Sequence, residues 1–227
     1  MAKLLSFKAG NAKLPSFITN LSLPAGHSCP FAKLCQSKAC VKTGKIIDGP
    51  ACAFRCYAAS MEVVFPNVRR HRWDNFELLK ATKDKAGLIS DSLPESLLVR
   101  PHVSGDFFSQ EYFDAWLEVA RDRKNTRFYA YTKALPFWVK RLRTIPANFT
   151  LVASYGGTHD SLIAKHNLPY CVVVGTEAEA RAKGMEIDHN DSHAYNYSKP
   201  FALLLHGVQP AGSGVNHKDK IRAYSRN

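Results

Sequence analysis

Short apolar segments alternating with helical patterns restrict the fold of this chain more than any other feature of its sequence. Five runs rich in β-branched and aromatic residues predict buried strands, at Leu97 to Val103, Arg127 to Thr132, Phe149 to Ser154, Tyr170 to Gly175 and Phe201 to His206. Helical patterns lie between these runs, most clearly at Gln110 to Arg123. This alternation predicts right-handed crossovers and a largely parallel sheet.

A strand at Phe17 to Leu23 and a helix from about Ala58 through Leu79 precede this series. The resulting strand count of about six is too small for an eight-stranded barrel. We therefore predict an α/β fold built as a partial (β/α) barrel of about six mainly parallel strands, with a doubly wound open sheet as the alternative. No linker or repeat divides the 227 residues, which predicts a single domain over residues 1–227.

The chain carries an excess of positive charge. It has 31 lysines and arginines against 19 aspartates and glutamates, so the formal charge is 31 − 19 = +12. This balance favours contact with nucleic acid or with another anionic partner, although a merely basic surface would also produce it. The segment RRHRW at residues 69–73 could follow a phosphate backbone while Trp73 stacks on a base. It could equally belong to a helix that turns Trp73 and Phe76 into the core.

The sequence contains no pattern typical of export or of membrane insertion. The amino terminus lacks a continuous apolar core with a cleavage site, and apolar runs such as Cys171 to Val174 are far shorter than a bilayer requires. We expect a cytoplasmic protein without membrane contact. Disulfides are rare in that compartment, so the six cysteines require another explanation.

Five of these cysteines lie within residues 29–56, in the pattern C-x5-C-x4-C-x11-C-x3-C. They are Cys29, Cys35, Cys40, Cys52 and Cys56. Thiolates are soft ligands that commonly bind iron–sulfur clusters or tetrahedral zinc. Structural zinc sites usually contain C-x2-C, which is absent here, so the spacing favours an iron–sulfur cluster of the [4Fe-4S] type. Zinc, unligated thiols and a redox pair remain as alternatives, and the segment is expected to be a cysteine-rich loop.

Several motifs carry a resemblance to a known family. CPFAKLC, FRCYAAS, FPNVRRHRWDNFELL, HVSGDF, YTK and HGVQPAGS together resemble the bacteriophage gene product eighty-eight family over most of the chain. The resemblance implies a phage protein acting in the infected host cell. It also implies metal ligands at Cys29, Cys35 and Cys56, with Cys40 and Cys52 as candidates for the fourth ligand.

Three cysteines with a variable fourth position also resemble radical S-adenosylmethionine (SAM) enzymes, which hold a cluster at one end of a partial barrel. The chain departs from their C-x3-C-x2-C motif, because Cys52 and Cys56 supply C-x3-C but residue 59 is alanine. SAM is therefore a cofactor that the resemblance suggests and the motif does not support.

Polar residues follow the predicted strands, where α/β enzymes place their working groups. The candidate catalytic residues are His102, Asp106, Lys133 and His206, and the candidate cofactor-binding residues are Ser104 and Ser154. A histidine can shuttle protons, and a lysine can bind a phosphate or carboxylate. The glycine turn after Ser154 could receive an anion on its amides. The alternative is that Asp106 or Ser109 caps a helix and His102 is a structural group.

A second polar group lies in the segment IDHNDSH, which contains Asp188, His189, Asp191 and His193. These side chains could hold a divalent metal, although a solvated loop is the interpretation we favour.

Together these features predict an iron–sulfur protein with its cluster at the carboxyl-terminal face of the sheet. Three cysteine ligands would leave one iron open for an unknown small-molecule or anionic substrate, as in an enzyme, whereas four would favour electron transfer, sensing or structural support. The alternative function is a basic accessory protein that binds nucleic acid and holds a structural metal.

Overall fold

Seven strands form one sheet in the computed structural model, which describes residues 3–209. In chain order the strands are β1 (Lys8–Ala9), β2 (Ile18–Ser22), β3 (Ser37–Ala39), β4 (Ile46–Asp48), β5 (Leu98–Ser104), β6 (Arg127–Thr132), β7 (Phe149–Ser154), β8 (Tyr170–Val174) and β9 (Phe201–Leu204). The sheet runs β1-β2-β5-β6-β7-β8-β9, and only the β1–β2 pair is antiparallel. The predicted α/β domain with a mainly parallel sheet is confirmed.

The strand order follows the chain order without reversal. A doubly wound sheet reverses its order at a switch point, so the arrangement does not match that alternative. Within residues 3–209 the sheet is open rather than a closed barrel, with β1 and β9 as its edges. Residues 186–188 cover the outer side of β9 through a parallel bridge between Ile187 and Ala202.

The helices lie mostly between consecutive strands. They are α1 (Tyr57–Val64), α2 (Pro66–Ala81), α3 (Lys85–Ser92), α4 (Gln110–Asp122), α5 (Leu135–Val139), α6 (Ser161–Lys165), α7 (Glu177–Ala182) and α8 (Ser192–Tyr195), with a 3-10 turn at Leu142–Thr144. The helix predicted over Ala58 to Leu79 is divided at Phe65, because a proline disfavours helical backbone in the residue before it. No helix within residues 3–209 is long and apolar enough to cross a membrane.

Two apolar cores lie on opposite faces of the sheet. The larger one packs the sheet, through residues such as Val99, Phe128 and Leu151, against α4 and its neighbours. The smaller one fills the other face with Ile18, Leu98, Tyr129, Val152, Cys171 and Phe201. The predicted core position of Cys171 is thereby confirmed, since its side chain is fully buried.

Part of the basic segment RRHRW is used inside the fold. Arg72 is buried and pairs with the buried carboxylate of Glu62 at 2.8 Å, while Arg69 donates to the Glu62 carbonyl at 2.5 Å. Trp73 packs its ring against His27 and Phe76. The helical interpretation of this segment is confirmed, and the charge of Arg72 is neutralised inside the fold, whereas Arg70 lies exposed.

A buried ionic network occupies the smaller core. Arg100 pairs with Asp191, which also accepts from the Tyr129 hydroxyl at 3.0 Å, and Tyr131 donates to Asp188 at 3.2 Å. Asp188 and Asp191 are 2% and 0% exposed, so the favoured prediction of a solvated loop is wrong for both aspartates. On the sheet, Asp191 neutralises Arg100 and Asp188 accepts a hydrogen bond from Tyr131, whereas His189 lies exposed.

The Arg100–Asp191 pair predicts a large loss of stability in Asp191→Asn. Asparagine tolerates the left-handed backbone at this position, where φ is 67°, so the substitution removes mainly the charge. We expect the free energy of unfolding in urea to fall by about 3–5 kcal/mol, because Arg100 keeps a buried, unpaired charge. Glu177→Gln is the control, since its pair with Arg181 is exposed and should cost less than about 1 kcal/mol.

The Arg100–Asp191 pair also predicts how the stability of the protein depends on pH. Burial raises the pKa of Asp191, but Arg100 and Lys13 outweigh it and hold the pKa below its usual value. Because the pKa of Asp191 is lower in the folded state than its unfolded-state value of about 3.9, the ionised carboxylate stabilises the fold above that pH. This stabilisation is lost as the pH falls through the folded-state pKa. Asp191→Asn should therefore flatten the acid limb of stability against pH; an unchanged acid limb would contradict this assignment.

Candidate functional site

The segment carrying five cysteines lies over the carboxyl ends of the parallel strands. The amides of Lys33 and Leu34 donate to the Gly156 carbonyl, at 3.1 and 2.9 Å, just beyond β7. The amide of Leu23 donates to the Ser104 carbonyl at the end of β5, at 2.8 Å. The segment is not simply a loop as predicted, because β3 and β4 pair within it as an antiparallel hairpin.

Three of the cysteines come together in this segment. Cys29, Cys35 and Cys56 are all partly buried. Burial raises the pKa of the Cys29 thiol well above its usual value, and negative charge on Asp106, Cys56 and Cys35 raises it further. Burial and then Cys35 raise the pKa of Cys56 to about 11. The three thiols are thus close enough for a charge on one to affect the others.

Local structure places Cys56 at the amino terminus of α1. It precedes α1, and its amide donates to Ser37 Oγ at 2.8 Å. The amides of Ala59 and Ala58 lower its pKa against the effect of burial, because a helix amino terminus favours negative charge. Ala59 is fully buried in α1, at the position where the radical SAM motif would require a third cysteine.

The remaining two cysteines of the segment differ from each other. Cys52 lies near Cys35, whose charge contributes to raising the Cys52 pKa after burial and Asp48. Cys40 follows β3, and hydrogen bonds from Thr43 and from the amides of Thr43 and Lys42 lower its pKa to about 7. Cys52 is therefore the better placed of the two to join the three thiols.

The described side chains do not form a ready site for a single metal ion. Within residues 3–209 no group of three or more His, Cys, Asp or Glu side chains is arranged to hold one. This holds for the cysteine segment and for Asp188, His189, Asp191 and His193 alike.

Asp106 joins the ends of β5 and β6. Its Oδ1 accepts from Thr132 Oγ1 at 2.6 Å and from the Phe107 amide at 2.8 Å, and its Oδ2 accepts from the Lys133 amide at 2.8 Å. The side chain is 5% exposed. These bonds fix the position of Lys133, so the structure favours a structural role for Asp106 over the predicted catalytic one.

Lys133 lies beside the thiols. Its side chain is buried, and Nζ donates to Ser154 Oγ at 2.6 Å. Burial lowers the pKa of Lys133, but negative charge on nearby Cys35 and Cys171 outweighs it and raises the pKa. The structure therefore brings two predicted site residues, Lys133 and Ser154, to the cysteine site.

His102 points away from this site. The pairing of β2 with β5 shifts register beyond Asn20 and Arg100, which marks an irregularity in β5. His102 consequently contacts α4, where its Nε2 lies 3.0 Å from the Tyr112 hydroxyl. Burial and Arg100 lower the pKa of His102 to about 3, so it is a neutral core group. The structure favours the structural alternative for this residue.

Two further predictions at these strand ends, Ser104 and the glycine turn after Ser154, also acquire internal partners. Ser104 Oγ donates to the Leu23 carbonyl at 2.8 Å and so holds β5 to the chain after β2. The amides of Gly156 and Gly157 do receive an anion, but it is the Asp160 carboxylate of the same turn, at 2.8 and 2.9 Å. An aspartate three residues after a glycine turn is the signal that sequence reasoning missed.

His206 lies two residues after β9 and packs against α1. Its ring packs on Tyr57 of α1 with centroids 4.3 Å apart, and the Tyr57 hydroxyl donates to the Val103 carbonyl at 2.5 Å. Gln209 accepts from the Arg55 amide at 2.8 Å. Residues 206–209 therefore dock beside Cys56, and Tyr57, which the sequence did not single out, connects the ends of β5 and β9.

A family model described as Gene product 88 matches residues 2–226. The chain belongs to this family. The Gene 88 protein of Mycobacterium phage L5 is 32% identical over 140 residues, which cover 56% of this chain and 52% of that protein. The Gene 88 protein of Mycobacterium phage D29 is 31% identical over 140 residues, covering 56% of this chain and 51% of that protein.

The chain thus spans about half the length of the curated relatives it matches. Both relatives are bacteriophage proteins, which supports the expected phage origin. The resemblance of the quoted motifs to this family is confirmed, whereas these comparisons give no support to the resemblance to radical SAM enzymes. No solved structure is significantly similar to this chain.

The three hydrogen bonds that Asp106 accepts predict that its carboxylate stabilises the fold. Asp106→Ala leaves three donors without their acceptor, and each unsatisfied buried donor costs about 1–3 kcal/mol. We expect the free energy of unfolding to fall by about 3 kcal/mol or more in urea denaturation. Asp74→Ala is the control, because that half-exposed side chain pairs with the exposed Lys3 at 3.7 Å. Equal stability of the two variants would refute the anchoring role.

Proposed function

We propose that this protein binds an iron–sulfur cluster of the [4Fe-4S] type through Cys29, Cys35 and Cys56. The cluster would lie at the carboxyl edge of the sheet, as in a partial (β/α) barrel. The observation that supports the proposal is the approach of these thiols, which come from separate parts of the cysteine segment. The segment is held over the strand ends by main-chain hydrogen bonds, so the approach is a property of the fold.

The chemistry of the donors fits a cluster better than a single ion. A tetrahedral zinc ion holds sulfurs at 2.3 Å from the metal, which places them about 3.8 Å from each other. Cysteine ligands of a cluster each bind a different iron, so they lie farther apart. The cysteine spacing, which lacks the C-x2-C pair usual in structural zinc sites, favours the cluster.

The chain supplies the surroundings such a group requires. Three thiolates bring negative charge, which buried Lys133 offsets and the amides at the start of α1 stabilise. The cysteines are partly exposed, which leaves a path from solvent. With three ligands from the chain, one iron would be open to a small-molecule ligand, and we propose a cluster-dependent enzyme acting in the cytoplasm of the infected cell.

A basic accessory protein that binds nucleic acid and holds a structural metal is the second candidate. The formal charge of +12 favours it. The burial of Arg72 and the internal bond of Arg69 weigh against the RRHRW segment as its contact surface.

The proposal predicts a brown protein when purification excludes oxygen. Absorption should show the broad visible band of a cluster, and iron and sulfide should be present in matching amounts. Zinc analysis on the same sample is the essential comparison. A colourless protein that carries stoichiometric zinc would contradict the cluster.

Single cysteine variants test which thiols bind. Cys29→Ala, Cys35→Ala and Cys56→Ala should each lose most of the iron and sulfide, because three ligands cannot be reduced to two without releasing the cluster. Cys40→Ala is the matched control, since its thiol lies in the hairpin and should leave the metal content unchanged. If Cys52→Ala retains its iron and sulfide, the result supports an open iron. If it loses them, the result supports a fourth thiolate ligand and excludes the open site.

The second candidate makes a separate prediction. Binding to double-stranded DNA should weaken steeply as salt rises, because neutralised phosphates release counterions. Fluorescence anisotropy at 50 mM and 200 mM salt would measure it. Undetectable binding at the lower concentration would remove this candidate, whatever metal the protein contains.

A further inference from the structure

A groove lies between the turn of the β3–β4 hairpin and the first half of α2. We call it the hairpin groove, and its volume is about 230 Å³. It is lined by Val41, Pro66, Arg69, Arg70, Trp73 and Asp74. Pockets for small molecules usually measure about 300–1,000 Å³ and enclose most of their ligand. The hairpin groove is smaller than this, so it suits one or two side chains of a larger partner better than a whole small molecule.

Close internal contacts hold the walls of the hairpin groove in place. The Arg69 guanidinium packs against Gly44 of the hairpin turn, where an added Cβ atom would lie only 2.7 Å from Nη1. Trp73 packs its ring against His27, and Nε2 of His27 lies 2.9 Å from the Ala39 carbonyl in β3. The hairpin and α2 are therefore joined on two sides, and the groove is formed by the fold itself.

Apolar side chains are exposed at the hairpin groove. Val41 lines it and is 46% exposed, and Phe65, which directly precedes Pro66, is 47% exposed. Six of the eleven large apolar side chains that are exposed within residues 3–209 belong to residues 34–65. Such a concentration on one part of a surface is typical of sites that bind another protein.

Positive charge accompanies these apolar side chains. Arg70 lines the groove and is exposed, and Lys42 and Lys45 are exposed in the hairpin turn. Asp74 brings a negative charge, but its carboxylate pairs with Lys3 at 3.7 Å. An apolar centre with a charged rim is the usual anatomy of a protein interface, and here the charge of the rim is positive.

From these observations we propose that the hairpin groove docks an acidic segment of a partner protein. An apolar side chain of that segment would insert beside Val41 and Pro66, and its carboxylates would pair with Arg70 and Lys42. Complementary charge of this kind speeds association and selects the partner. None of the groove residues is a cysteine proposed to bind the cluster, so the same docking is expected whether or not the protein holds a metal.

Nucleic acid fits the hairpin groove less well than an acidic segment of protein. Half or more of the hydrogen bonds in protein–DNA complexes go to phosphates and sugars, and the side chains of Val41 and Pro66 offer them no donor. Trp73 is only partly exposed and already packs against His27 and Phe76, which limits its use as a platform for a base. The combination of apolar surface and positive charge therefore favours a protein partner.

Fluorescence anisotropy with a labelled peptide tests the proposal. The probe is a short peptide of glutamates around a central leucine–phenylalanine pair, and the full chain is titrated into it. We expect saturable binding. Val41→Asp should weaken it by about tenfold or more, because the apolar contact is lost and a like charge is added. The double variant Lys42→Glu/Arg70→Glu should weaken it by about fivefold or more.

Two matched controls lie outside the hairpin groove. Leu97→Asp makes the same kind of change at an exposed apolar residue that directly precedes β5. Lys140→Glu/Arg143→Glu makes the same change in net charge at two exposed positions after α5. Both controls should keep the wild-type affinity, and circular dichroism should show that all four variants remain folded.

Three results would overturn the proposal. The first is the absence of saturable binding, and the second is an equal loss in the groove variants and their controls, which would indicate unspecific attraction. The third is stronger competition for the probe by single-stranded DNA than by the unlabelled peptide, which would assign the groove to nucleic acid. A loss confined to Val41→Asp and Lys42→Glu/Arg70→Glu supports the docking site.

Discussion

The arrangement at the carboxyl edge of the sheet depends on how the cysteine segment satisfies its backbone polar groups. Residues 29–56 contain only one short hairpin, so most of their amides and carbonyls cannot be paired within regular structure. Buried backbone groups must find partners, and here the turn after β7 and bonds within the segment itself supply many of them. These bonds bring Cys29, Cys35 and Cys56 together over the strand ends.

The polar side chains at the strand ends have two roles. Some bond neighbouring elements together, and others lie beside the cysteines. Asp106, Ser104 and His102 all follow or end β5, yet each is bonded to a neighbouring element. Lys133 and Ser154 stand one and two strands further along the sheet, with Lys133 held in place by Asp106. A carboxylate that was expected to act in chemistry is better understood as the support of the lysine.

The charge of the protein is likewise divided between the interior and the surface. Arg72 and Arg100 contribute to the formal charge of +12, but each is neutralised by a buried carboxylate. Removing one partner of such a pair strongly destabilises the protein, because the other partner is left as a buried charge without compensation. Net charge from the sequence therefore overstates the charge that an external partner meets at these positions.

The alternating apolar runs determined the strands, the mainly parallel sheet and the helix α4, because these depend on local periodicity and short connections. The spacing of the cysteines likewise singled out residues 29–56. Only the tertiary structure decided which side chains meet there. The irregularity in β5 turned His102 to the helical face, and Asp160 filled the glycine turn. The β3–β4 hairpin holds Cys40, whereas Cys52 lies near Cys35. Contacts of this kind depend on register and on docking between distant segments, which no local pattern in the sequence encodes.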